Sequence, residues 1–339
     1  MASIGFHRSL TQDPGFRQKT MADLALPETP AKAQTWRQGD VIFRWLSRGC
    51  AFLVPALIGG IFLALLIYSL PAIKKFGLGF LVSPEWNPVT QEFGAASSIF
   101  GTVVSTLIAM LLAVPLSLAI AFFLVELAPP AVSRVVSTLI ELLAAIPSII
   151  FGMWGLFVFA PFLQAHVQPW LASTLGFLPL FQGPPMGIGI MSAGIILAFM
   201  ILPFICAIAR DVFLLVPRTI RESAFGMGAT TWEVMYKVMI PYGLVGLIGA
   251  VFLGLGRALG ETMAITFVIG NSHRISASLF AAGNSIASTL ANEFAEATEP
   301  IYVSSLIALG LVLFLITYLV QVLAQFLLRR LYRSWSVGL

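Results

Sequence analysis

Arg257 and Glu261 fall inside the run GLIGAVFLGLGRALGETMAITFVIGN (Gly246 to Asn271), which is otherwise apolar and rich in small residues. A charged side chain near the middle of a spanning helix costs roughly 2.5–3.5 kcal/mol on insertion scales, and such residues usually face a bundle interior or a water-filled path. The arginine stays protonated and presents five donors in a planar fork, which suits a tetrahedral oxyanion. Glu261 follows four residues later, so an unbroken helix puts both groups on one face, where the carboxylate pairs with Arg257 when no anion is present. A passing anion then competes with Glu261 for Arg257. The alternative is a structural ion pair that pins this helix to its neighbours, with Glu141 as a third member.

The elements that position these groups must be membrane helices. With 58% apolar and only 10% charged residues, the composition excludes a soluble domain and describes an all-α integral membrane protein. A spanning helix needs about 20 apolar residues, and six such segments are expected. The first covers 45–71, the second begins at Phe93, and the others lie near 136–160, 187–209, 242–270 and 301–328. Between Glu141 and Arg210 there is no Asp, Glu, Lys or Arg, and Pro161, Pro169, Pro179 and Gly183-Pro184-Pro185 divide that stretch. Ser148 follows Pro147 within the third span, where proline frees a backbone carbonyl and bends the helix, and Gly152 and Gly155 allow a close helix approach. Ser148 and Glu141, near one end of that span, complete the polar candidates for a pathway. Residues 1–44 read as a flexible polar arm without signal-peptide order, 72–92 as an external connection, 93–330 as the main transmembrane domain and 331–339 as a tail.

Of the 19 Lys and Arg residues, all but Lys74, Lys75, Arg257 and Arg274 lie in the N-terminal end up to Arg48, the second and fourth connections, and the C-terminal end from Arg329 onward. By the positive-inside rule both termini are cytoplasmic. The net charge of +4 is therefore a topology signal and gives no reason to expect nucleic acid as a partner. Cys50 and Cys206 sit in apolar runs and read as buried free thiols, and the three scattered histidines have no ligand spacing, so neither a metal nor a cofactor is expected. Catalytic constellations are equally lacking, which argues against an enzyme. None of the five lysines follows a glycine in a phosphate-cradling loop. If ATP drives this protein, the motor is another chain, and a docking surface for it is required.

The segment RESAFGMGATTWEVMYKVMIP, Arg221 to Pro241, supplies one: a helix, a turn at Gly226 and Gly228, and a second helix. Trp232, Met235, Tyr236 and Met239 recur at helical spacing and form an apolar stripe suited to a groove on a partner, or else to membrane lipid headgroups. Glu222, Ser223, Ala224, Gly228, Val238, Ile240 and Pro241 fall at the spacing of the EAA loop of ABC-importer permeases, with Ser223, Val238 and Ile240 departing conservatively from its pattern. Over roughly residues 85–330 the chain resembles the permeases of phosphate-specific ABC importers. LFAAGNSIASTLANEFAEA from Leu279 is closer to the PstC type than to its sister subunit.

The resemblance implies a type I ABC-importer permease fold in a bacterial inner membrane, carrying inorganic phosphate. It implies a sister permease, an ABC ATPase dimer docked on 221–241, and a periplasmic phosphate-binding protein. It also matches Arg257 and Glu261 to the family's transport-associated arginine and glutamate. A same-fold permease for another oxyanion, or the sister phosphate subunit, shares most of these features.

Overall fold

In hydrocarbon an apolar chain satisfies its backbone by forming helix. Six helices in the computed structural model, which describes residues 32–336, are long and apolar enough to cross a bilayer. Apart from the short helical turns Gly79–Val82 and Pro179–Phe181, the helices in chain order are α1 (Lys32–Phe76), α2 (Ala96–Leu127), α3 (Pro130–Ala144), α4 (Ser148–Leu175) and α5 (Ile190–Leu214). They continue with α6 (Arg218–Gly226), α7 (Thr231–Leu259), α8 (Met263–Val268), α9 (Ile286–Glu293) and α10 (Pro300–Ser336). The spans are α1, α2, α4, α5, α7 and α10. A two-residue antiparallel ladder, Trp86–Asn87 with Glu92–Phe93, is the only sheet among the described residues. Residues 32–44, assigned from sequence to the arm, form the first turns of α1; the rest of that arm and residues 337–339 lie outside the described residues.

The chain divides after Ile61 into two units. In the first, the described side chains of α1 are exposed on every side, Cys50 included, which corrects its assignment as a buried thiol. In the second, α5 is the central helix and is buried over most of its length. It packs along α2 through a face of small residues, among them Ser105, Ala109, Ala113 and Ser117. Backbones meet closely along such a face: a Cβ added at Gly194 of α5 would sit 2.7 Å from the Ile108 side chain. One core cluster surrounds Ile196, Leu197, Ile201 and Ile205 at mid-height, and a second joins Phe122, Phe213, Ala224, Val234 and Met239 at one end.

Two spans differ from expectation. Residues 136–144 belong to α3, a separate amphipathic helix, and the third span runs from Ser148 through 175. Pro147 precedes this helix and does not kink it, because proline disfavours helical geometry at Ile146. Pro161 and Pro169 lie inside α4, where each follows a wide π-helical turn, Gly155–Phe159 and Leu163–Val167. Pro241 follows a third such turn, Met235–Met239. A proline ring clashes with the carbonyl four residues back, and in all three cases that carbonyl lies inside the widened turn. The fifth span stops at Leu259, eleven residues before the expected end at 270.

Candidate functional site

Arg257 occupies the last turn of α7, where its charge faces the unpaired carbonyls of the helix C-terminus. Gly260 ends the helix, Glu261 and Thr262 lie in the break, and α8 starts at Met263. The guanidinium is exposed on the surface of this chain, with Cζ 5.7 Å from the centre of the Phe204 ring on α5. Glu261 is half-buried and Oε1 accepts the Ala264 amide at 3.3 Å, so it caps α8. No Arg257–Glu261 ion pair is present among the described residues. The break at Gly260 removes the continuous face on which that pair was expected.

What holds the break in place is α4. A Cβ added at Gly152 would lie 2.8 Å from the Phe267 ring and 3.1 Å from the Ala264 Cα, and one at Gly155 would meet Val268 and Ile196 at 3.0 Å. Both glycines thus serve close packing against α8, as their spacing suggested. Beyond α8 the chain reverses through Gly270 (φ +94°) and Asn271, whose Nδ2 donates to the Thr266 carbonyl at 3.1 Å.

The other two pathway candidates lie elsewhere. Glu141 is on α3, outside the span, and its carboxylate pairs with Arg210 of α5 at 3.3 Å. Ser148 is half-buried in the first turn of α4.

The loop from Arg221 to Pro241 is tightly built. α6 ends in a Schellman motif, with Ala229 N donating to Ala224 O at 3.1 Å and Gly228 N to Phe225 O at 2.9 Å. Gly228 takes the left-handed position, φ +87°. Gly226 is helical, so it has no part in the turn expected of both glycines. Thr230 and Glu233 form a capping box that starts α7, a signal legible in Thr230-x-x-Glu233 and overlooked. Ala224 is buried in the second core cluster, with Val238 and Ile240 packed against it, whereas Glu222 and Ser223 are exposed. The apolar stripe is split by the wide turn: Met239 is fully buried and Met235 half-buried, leaving Trp232 and Tyr236 exposed with Phe225 and Met227.

A polar cluster unforeseen from sequence closes the opposite end of the bundle. Glu293 accepts hydrogen bonds from Trp86 Nε1 (2.6 Å) and Tyr302 Oη (2.8 Å), and its Oε1 lies 2.8 Å from His273 Nε2. Trp86 stacks on His273, and Asn284 bridges His273 to Thr289. Burial pushes the Glu293 carboxyl upward, but the hydrogen bonds from His273, Tyr302 and Trp86 and the electrostatic interaction with the His273 ring outweigh it and hold the group below the usual carboxylate range.

Residues 113–333 match the family described as binding-protein-dependent transport system inner membrane component. This chain belongs to that family. The permease is 54% identical over 296 residues, 86% of its own length and 90% of the other, to the phosphate transport system permease protein PstC of Mesorhizobium japonicum. It is 50% identical to the protein of that name from Pasteurella multocida over 86% of this chain and 92% of the relative. It is 36% identical to the probable PstC of Methanocaldococcus jannaschii over 77% and 85%. Its fold is shared with a bacterial alginate ABC transporter (TM-score 0.56, 17% identity, covering 86% of this chain and 96% of the other). It is also shared with the MetNI methionine ABC transporter (0.51, 19%, 69% and 94%). The permease is thus a multi-pass membrane component of the type I importer fold, a transporter part and not an enzyme, that works with a separate ATPase and a solute-binding protein.

Proposed function

We infer that this permease is the PstC-type subunit of an importer that carries inorganic phosphate across the bacterial inner membrane, powered by ATP hydrolysed on a partner. The identity of 54% to a phosphate transport permease over 86% of the chain carries this reading. Both termini face the cytoplasm, in keeping with the distribution of Lys and Arg. The partners are a homologous sister permease, an ATPase dimer seated on the 221–241 loop and a periplasmic phosphate-binding protein that supplies most of the selectivity. The exposed Glu222, Phe225, Met227, Trp232 and Tyr236 are the docking surface, and buried Ala224, Val238 and Ile240 tie it to the spans. ATP closes the ATPase dimer, the loop moves with it, and the helices open outward; hydrolysis restores the inward-facing state.

Arg257 is the phosphate contact. A ring contact at an exposed site is worth about 0.5–1 kcal/mol, so an anion takes the guanidinium without breaking a carboxylate pair. Glu261 fixes the break that presents Arg257 and keeps a negative charge nearby, which opposes tight trapping. Glu141, with Arg210, and Ser148 lie towards the cytoplasmic mouth. The test is radiolabelled phosphate uptake in cells lacking this gene, complemented with wild type or Arg257→Gln, with sulfate and molybdate as competitors. Wild type should restore uptake that only phosphate competes away, and Arg257→Gln should insert yet fail. Unchanged uptake in the deletion strain under phosphate starvation would overturn the substrate; normal transport by Arg257→Gln would overturn the role of the residue.

A further inference from the structure

Glu126 and Arg221 form the most deeply buried ion pair among the described residues, with side chains 12% and 13% exposed. They are 95 residues apart. Glu126 lies on the wide π-helical turn Phe123–Leu127 that ends α2, the kind of turn that is frequent at functional sites. Arg221 is on α6, beside Glu222. The pair lines a cavity of about 510 Å³ together with Val216, Pro217, Arg218 and Phe225. Arg221 Nε is buried without a hydrogen-bond partner.

Stability alone is a weak reason to keep such a pair. Burying two charges costs several kcal/mol per ion before their attraction repays it, and well-packed apolar residues often serve as well. Apolar packing is already present, since Leu124, Val216 and Ala224 share one cluster. An ion pair adds register: it fixes one lateral position of α6 against α2, which apolar contacts do not. The loop is continuous in the chain with α5 and α7, so any shift of α6 reaches those two spans through the backbone. Nothing covalent carries it to α2, the helix that packs along α5.

We propose that Glu126 and Arg221 are positioning residues for energy coupling, the joint through which displacement of α6 by the ATPase moves α2. The cavity beside the pair gives that joint room to move. This rests on the function proposed above, and the experiment separates the two. The complete transporter, both permeases with ATPase and binding protein, is reconstituted in vesicles, and phosphate moved per ATP hydrolysed is measured together with ATPase retention. Wild-type vesicles that hydrolyse ATP and move no phosphate would sink the functional reading itself.

With a coupled wild type, Glu126→Gln and Arg221→Gln should each lower the phosphate-to-ATP ratio about tenfold, mid-range for contacting residues, while the ATPase stays bound. The exchange of Glu126→Arg with Arg221→Glu should recover most of the ratio. An unchanged ratio in the single variants overturns the proposal, as does an exchange no better than the singles. If a single variant loses the ATPase, Glu126→Asp, which keeps the charge, decides: assembly with an intermediate ratio supports the joint, and loss of assembly makes the pair structural.

Discussion

Arg257 carries its charge against one aromatic ring at the exposed end of a helix, so the phosphate contact proposed for it draws on the shape of the guanidinium as well as on its charge. Lysine offers a point charge without the planar fork. Arg257→Lys should therefore retain measurable phosphate uptake, roughly tenfold below wild type, while Arg257→Gln falls to background; each tenfold step is about 1.4 kcal/mol. Equal uptake by Lys and Arg would mean that charge alone suffices. Glu293 makes a second residue-scale prediction. Its pKa is depressed in the folded protein, so the stability it contributes is present above the unfolded carboxyl pKa of about 4.3 and is lost as pH falls through the folded value. Glu293→Gln should lower the thermal midpoint of the detergent-solubilised protein by roughly 2–4 °C at pH 7, and the deficit should shrink as the pH falls below the unfolded carboxyl value. A deficit that does not change with pH would assign the effect to lost packing. Arg257 was legible because a charge in an apolar run stands out, whereas Trp86, His273, Glu293 and Tyr302 are scattered along the chain with no local spacing to connect them.

Apolar runs made the spans legible, and their breaks were legible only in part. At Ile146-Pro147 the sequence admits either a kink within one span or an end between two helices, and the observed end takes Glu141 out of the membrane-spanning helix. At Gly260 the apolar run continues past the break, which hid the separation of Glu261 from the face of Arg257. The helix, turn and second helix expected from Arg221 to Pro241 are present, but the turn uses Gly228 alone and leaves Gly226 in the helix. Gly228 stands at φ +87° with open space around the place of a Cβ, so Gly228→Ala tests backbone conformation alone. It should cost about 1–2 kcal/mol of turn stability. Gly226 is helical with equally open surroundings, so Gly226→Ala should be neutral or stabilising by up to about 1 kcal/mol. Retention of the ATPase during purification, compared across the two variants, is the measurement. Equal losses would mean that the partner needs the bare surface of both glycines.

At the scale of the whole molecule, exposed apolar side chains on spanning helices face lipid without cost, and an exposed guanidinium does not. Most large apolar residues of α2 and α7 that point outward, such as Leu111 and Leu253, are therefore ambiguous taken alone. Leu253 precedes Arg257 by four residues on α7 and shares its face. If the sister permease covers Arg257, that face is a protein interface, and Leu111 on α2 serves as a second surface of unassigned environment. The native thiols Cys50 and Cys206 are first replaced by alanine, and a single cysteine is then placed at 253 or at 111. A cysteine at 253 should cross-link to a scanned cysteine on the sister subunit's corresponding helix, and the yield should change when ATP is added, because the pathway opens at that seam. Cross-linking at 253 that ignores ATP would place Arg257 at a static interface. No cross-link at 253 together with a strong one at 111 would put the seam along α2, and phosphate would then pass by a route that Arg257 does not line.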